Sequence, residues 1–176
     1  MKVTVIGNGV SRAPIPLDKI KGITIGCNAV YRDFTPTYLC VVDHAITKEI
    51  YESEYAGVVY YRHMTLKRLR LTPKPNWHTP SFMNGENTGN AAILLAKDLG
   101  AEHIDLIGFD GLPQKLYPDT AQKIDMFDMW NDRLYYICSD ISVRRVVDNT
   151  CAIMNLPTIS VEDYISENNS NWEWPF

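Results

Sequence analysis

Val3-Thr4-Val5-Ile6-Gly7-Asn8-Gly9-Val10-Ser11-Arg12 opens the chain after Met1-Lys2. A β-branched apolar run that meets Gly-Asn-Gly reads as a buried strand running into a tight turn. Glycine in such a turn permits positive φ and close backbone approach. Amides there can hold an anion, above all where a helix follows. Asn8 can both donate and accept, and Ser11 can donate. The spacing is not that of a dinucleotide fingerprint: Arg12 stands at the third glycine position, and Pro14 and Pro16 shorten or delay any helix. Gly7, Asn8, Gly9 and Ser11 are therefore candidate binding residues, with a bare strand-to-loop turn as the alternative.

The same grammar recurs along the chain. Ile23–Ile25 ends at Gly26-Cys27-Asn28, Tyr38–Val42 at Asp43-His44, and Ile104–Ile107 at Gly108-Phe109-Asp110-Gly111; Val58–Tyr61 is a further strand. Thr88–Leu99 carries the clearest helical pattern, with Asn87 or Thr88 as cap and Gly100 at its end. Residues 72–86 are rich in Pro, Asn and Thr and read as a long loop or lid. Asp125–Met154 reads as mostly helical with a break near Ser139, and Pro157–Val161 as a last strand. Strands alternating with helices predict one Rossmann-like α/β domain over residues 1–176, a mainly parallel sheet with helices on both faces. Such sheets bind ligands outside the carboxyl ends of their strands.

The polar residues after strands are therefore the candidates. Asn28 and Asp43 can contact a base, a ribose or a metal-bound phosphate, or serve only as turn and cap residues. Asn84-Gly85-Glu86-Asn87-Thr88-Gly89-Asn90 places Asn87, Thr88 and Gly89 at a helix N-terminus, where negative charge is favoured and where plain capping is the competing reading. Asp110 can bind a ribose hydroxyl or a divalent metal ion, act as a general base, or form an Asp-Gly turn. Tyr117, Asp119, Asp125 and Asp128 follow it and can line the same cleft.

Bulk properties remove several classes. The net charge is −4, which leaves no overall basic footprint for nucleic acid; Lys67, Arg68 and Arg70 form the only basic cluster, read as a solvated helix face. No apolar run approaches the length of a membrane span, and the start does not resemble a signal peptide, so a cytoplasmic location is expected. Cys27, Cys40, Cys138 and Cys151 form no C-x-x-C pair and are expected as buried thiols. His44, His63, His78 and His103 lack metal-ligand spacing, so no metal site is assigned.

The turns taken together carry a resemblance. Val5-Ile6-Gly7-Asn8-Gly9-Val10-Ser11 resembles the Gly-Asn-Gly-Pro-Ser turn of the bacterial sialyltransferases of the Campylobacter type, and is similar to the Gly-x-Gly-Pro-Ser-Leu turn of the MptE-like proteins. Gly26-Cys27-Asn28, Thr88-Gly89 with its helix, and Ile104 to Asp110 resemble further sialyltransferase segments. The likeness covers residues 3–44 and 84–111 and marks the chain as a compact, divergent relative. It implies that Gly7, Asn8, Gly9, Asn28, Thr88, Gly89 and Asp110 contact a nucleotide. Val10 replaces the turn proline, and no histidine follows His103, where the sialyltransferases place a histidine general base.

The expected function is a transferase acting on a nucleotide or nucleotide-sugar donor, by glycosyl, phosphoryl or pyrophosphoryl transfer. Asp110 or Asp43 would be the base or metal ligand, with the leaving phosphate at the Gly7–Ser11 turn. A non-catalytic module that sequesters a small nucleotide or signalling molecule is the alternative. A third reading is an assembly protein, with the aromatic tail over residues 168–176 as a contact for the body or for another copy in a homo-oligomer.

Overall fold

The computed structural model describes residues 1–111, 116–120, 127–147 and 156–169. Every described strand belongs to one parallel sheet of eight: β1 (Lys2–Ile6), β2 (Ile23–Cys27), β3 (Tyr38–Val41), β4 (Val58–Tyr61), β5 (Trp77–His78), β6 (His103–Ile107), β7 (Ser142–Val146) and β8 (Thr158–Ile159). Their order is β5-β4-β3-β2-β1-β6-β7-β8. The chain thus winds outward from β1 in one direction, then returns and winds outward in the other. The switch lies between β1 and β6, where Ile6 stands opposite Ile107.

Period-two alternation places Val3, Val5, Ile25, Cys27, Cys40, Ile104 and Leu106 on one face, under α3 (Thr88–Asp98) and α4 (Phe127–Ile137). Leu39, Val41, Val59 and Tyr61 lie on the other face, under α1 (His44–Glu52) and α2 (His63–Leu69). Ile107 and Val146 share that second face with Val161 and Tyr164 of α5 (Val161–Asn169). Helices on both faces fit the α/β expectation. No α-helix joins β1 to β2; the 3-10 turns Val10–Arg12 and Leu17–Lys19 stand there, flanking Pro14 and Pro16.

Two expectations at the C-terminal side are corrected. Within the stretch read as helical over Asp125–Met154, α4 ends at Ile137 and Ser142–Val146 is a strand; residues 148–154 lie outside the described residues. Its two arginines disguised it. The Arg145 side chain is buried and donates to the Phe109 carbonyl at 3.0 Å, while Arg144 meets Asp105 at 2.7 Å. The last strand is only Thr158–Ile159, and Ser160 then caps α5 by accepting from the Asp163 amide at 3.0 Å. Asp125, Cys151, the Asp128 side chain and the aromatic tail from residue 170 lie outside the described residues. Cys27, Cys40 and Cys138 are buried and form no disulfide among the described residues. Among the described residues no helix is long and apolar enough to cross a membrane.

One buried charge ties the switch-side strands to α5. Asp105 on β6 is fully buried, with Arg144 at 2.7 Å, Lys2 at 2.7 Å and His103 at 2.9 Å. Burial alone would raise this carboxyl's pKa, but the hydrogen bonds from Arg144, Lys2 and His103 outweigh it and hold the pKa below the ordinary aspartate value. A pKa depressed in the folded state adds stability above the unfolded aspartate's value near 4, lost as pH falls through the folded value. Asp105→Asn should therefore cost about 3 kcal/mol at pH 7 in urea unfolding and flatten the loss of stability below about pH 4. An unchanged acid limb in the variant would refute this account.

Candidate functional site

The turn after β1 and the turn after β6 lie side by side. Gly7 N–H donates to the Ile107 carbonyl at 2.7 Å, and Gly9 N–H donates to the Gly108 carbonyl at 2.9 Å. A Cβ on Gly7 would sit 2.7 Å from the Gly108 carbonyl oxygen; one on Gly9 would sit 2.5 Å from the Asp110 carboxyl carbon. Both glycines are thus required by the contact between two loops. Gly9 itself has φ −65°, open to any residue, so the demand is for space and not for a left-handed backbone. Phe109 fills the junction: its ring lies where a Cβ on Gly7 (3.2 Å) or on Gly89 (2.9 Å) would come. Three segments far apart in sequence close around one aromatic ring.

Asp110 latches the same junction. Its carboxylate accepts from the Ser11 amide at 3.0 Å and from the Ser11 hydroxyl. An anion already occupies the Ser11 amide, and no α-helix begins at this turn to add a dipole.

A second chain of polar contacts crosses the next strand ends. Asn28 begins a 3-10 turn at φ 49°, a left-handed conformation that asparagine tolerates. Its Nδ2 donates to Asp43 at 2.8 Å, and its Oδ1 accepts from the Thr88 hydroxyl at 3.1 Å. Asp43 stands at the N-cap position of α1, yet its carboxylate turns away from the helix to Asn28. Asn87 is a true cap, its side chain accepting from the Asn90 amide at 2.9 Å. Asn8 donates to the Cys27 carbonyl at 2.9 Å.

These loops enclose a cavity of about 620 Å³ at the carboxyl ends of the strands. Gly7, Asn8, Asn28, Asp43, Asn87, Thr88, Gly89 and Asp110 line it; Gly9 and Ser11 sit behind the lining, in the loop contact. The long 72–86 segment contributes Gly85 and Glu86 to the wall, and contains β5 and a 3-10 turn over Ser81–Met83.

The sequence reading missed several lining residues: Glu49, Arg62, Trp130 and Asn131. Asn131 is 9% exposed, and among the described residues its Nδ2 has no acceptor and Asn8 Oδ1 has no donor. Two buried amide atoms left open on one cavity call for a ligand or water. Arg62 donates to the Met83 carbonyl at 3.4 Å and to the Glu86 carbonyl, and so fixes the loop before α3.

The rim is acidic, and most of its carboxylates are engaged. Arg32 pairs with Glu49 at 2.7 Å and Asp119 at 2.8 Å, which holds both carboxyls below their ordinary values. The Tyr31 hydroxyl also donates to Glu49, and burial together with that carboxylate pushes the phenol up to about 12. Glu86 pairs with Arg133. Tyr117 lies against the guanidinium groups of Arg12 and Arg32, its ring centroid 5.6 and 5.2 Å away, and accepts from Arg12 at 2.9 Å. Asp43 and Asp110 are the lining carboxylates with no cationic partner among the described residues; Asp110 is bonded to Ser11 and Asp43 to the Asn28 amide. No histidine lines the cavity; His103 lies at the opposite, amino end of β6 with Asp105 and Ser142. Among the described residues no cluster of three or more His, Cys, Asp or Glu side chains is arranged to hold a metal ion.

Comparison with solved structures finds the same architecture. The sialyltransferase CstII from Campylobacter jejuni in complex with the substrate analogue CMP-3FNeuAc superposes with a TM-score of 0.59 at 16% identity, over 88% of this chain and 84% of that one. CST-II with a trisaccharide acceptor and CMP gives 0.61 at 13% identity, over 89% and 86%. The chain has a sialyltransferase-like fold. No protein-family model and no curated protein matches the sequence. The structural likeness extends well beyond the short motifs of residues 3–44 and 84–111.

Gly9→Ala tests the loop contact. The added methyl must displace Asp110 or the Gly108 carbonyl, so the variant should lose about 1–3 kcal/mol, a Tm lower by roughly 3–9 °C. A Tm within 1 °C of wild type by calorimetry would show that the two turns are not held together as described.

Proposed function

We propose that this protein binds a nucleotide or nucleotide-sugar in the cavity at the β1/β6 switch and acts as a transferase on that donor. One observation carries the reading. Asn8, Asn28 and Thr88, from three separate strand-to-helix loops, converge with the N-terminus of α3 on a single cavity at the carboxyl edge of a parallel sheet. The superposed sialyltransferases, solved with CMP or with the substrate analogue CMP-3FNeuAc, support the nucleotide class.

The electrostatics favour one end of the cavity for the phosphate. The turn at Gly7–Ser11 has Asp110 seated on the Ser11 amide, which opposes a second anion. At Thr88–Gly89 an eleven-residue helix presents its positive end, and Gly89 lets Phe109 pack close by. The phosphate of the donor belongs at α3. Developing negative charge on a leaving phosphate would be stabilised there by amides already in place. Asp110, bonded twice to Ser11, is then a positioning residue. Asp43, held by the neutral Asn28 amide, is the general-base candidate for an acceptor hydroxyl.

A non-catalytic module that binds and sequesters the nucleotide is the second reading. It is favoured by the cavity's lack of a histidine and by the pairing of Glu49, Asp119 and Glu86 with arginines.

Calorimetric titration with CMP, UMP, ATP and their sugar or diphosphate forms should show one-to-one binding of at least one of them below millimolar concentration. Asn28→Gly keeps the left-handed turn and deletes the amide; it should weaken that binding about tenfold. Asp43→Asn should leave binding within a few fold and lower turnover by about 100-fold or more. No binding of any nucleotide at millimolar ligand overturns the proposal. Binding with donor recovered intact after long incubation selects the sequestering module.

A further inference from the structure

The basic side chains on and beside α2 take no part in the cavity described so far, apart from Arg62. Beyond Arg62 and Gly85, which belong to both, lies a second cavity of about 390 Å³. His44 at the start of α1, Arg62 between β4 and α2, and His63, Met64, Thr65 and Arg68 of α2 line it, with Asn84. Its charge is the reverse of its neighbour's. The main cavity is lined by Asp43, Glu49, Glu86, Asp110 and Asp119 against one arginine. The annex has two arginines, two histidines and no carboxylate in its lining.

These basic side chains are not used up in folding. Among the described residues His44, His63 and Arg68 make no ion pair and no side-chain hydrogen bond. Arg62 spends Nε and Nη2 on the Met83 and Glu86 carbonyls, which anchors the guanidinium at the boundary between the two cavities. In a chain of net charge −4, four basic groups gathered from α1, from α2 and from the junction of β4 with α2 around one recess, with no acid among them, form a site for an anion.

We propose that this annex binds the phosphomonoester group of a second substrate, placing that molecule's reactive hydroxyl toward Asp43 in the adjoining cavity. Donors that line one recess from α1, from α2 and from the junction of β4 with α2 suit a tetrahedral dianion. A carboxylate is planar and singly charged and would leave most of them unmatched. Asp43 immediately precedes His44, so a molecule gripped by its phosphate in the annex reaches the general-base candidate across that junction. Anion binding here is independent of the nucleotide reading; only the role as second substrate rests on it.

The test uses the full chain and follows the His44 and His63 ring signals by NMR during titration with inorganic phosphate, glycerol 3-phosphate and glucuronate. Both phosphate probes should move both rings along one saturating curve, with glucuronate weaker by about tenfold. Arg68→Gln should weaken phosphate binding about tenfold. Lys67→Gln removes the same charge from the same helix outside the lining and should change it less than about twofold. The site for nucleotide, titrated separately, should be unaffected by either variant. Rings that do not move by about 20 mM phosphate, equal effects of the two variants, or tighter binding of glucuronate would each overturn the assignment. Phosphate binding without any nucleotide binding would keep the annex and defeat the donor site; nucleotide binding with silent histidines would do the opposite.

Discussion

The turns after β1 and β6 touch backbone to backbone, and there is no room for a Cβ between them. That contact follows from topology: β1 is the first strand laid down and sits at the centre of the sheet, so its partner on one side is β6, about a hundred residues later. Gly7 and Gly9 yield the space, Phe109 fills the remainder, and Asp110 bonds back to Ser11. Every wall of the main cavity is positioned from this junction. Gly89 brings α3 against Phe109, Thr88 then reaches Asn28, and Asn28 reaches Asp43. Disturbing the first contact displaces the last one through a chain of hydrogen bonds and close packing, since packed interiors shift as units.

Charge is distributed with the same economy. Carboxylates dominate the main cavity, yet arginines arriving from outside its lining hold most of them: Arg32 takes Glu49 and Asp119, Arg133 takes Glu86. The Arg32 pairs hold the Glu49 and Asp119 carboxyls below their ordinary values, which makes both weak proton acceptors. Asp43 has only the neutral Asn28 amide beside it among the described residues. Three lining carboxylates are ion-paired, and two, Asp43 and Asp110, are bonded only to neutral groups; of these Asp110 is committed twice to Ser11, which leaves Asp43 as the chemical candidate. The positive end of α3 and the basic side chains beyond Arg62 then give the region two anion-favouring poles with acids between them.

Local sequence disclosed the strand ends well and the C-terminal region poorly. Val3–Ile6, Ile23–Ile25, Tyr38–Val42 and Ile104–Ile107 are short apolar runs stopped by Gly or Asp, Val58–Tyr61 is one that meets Arg62, and each marks a strand to within two residues. The Thr88 helix announced itself through its apolar stripe and the Asn87 cap. Ser142–Val146 did not, because Arg144 and Arg145 contradict a buried strand unless Asp105, Glu167 and the Phe109 carbonyl are known to wait for them. The α5 helix was concealed by its polarity; only Val161 and Tyr164 are buried, though Ser160 followed by Glu162 and Asp163 carried a capping signature that could have been read.

What the sequence determined by itself was a set of strand-to-loop turns bearing Gly, Asn, Thr and Asp, because strand formation and turn chemistry depend on neighbours a few residues apart. It also determined that the chain would bury a core of parallel strands under helices. Tertiary structure alone decided what those turn residues do. It made Gly7 and Gly9 spacers between loops, turned Asp110 into a latch on Ser11, left Asp43 free of cations, and recruited Arg62 and Asn131 to the cavity wall. These roles depend on which side chain faces which across distances of twenty to a hundred residues, and the order of strands in the sheet, not their composition, sets those pairings.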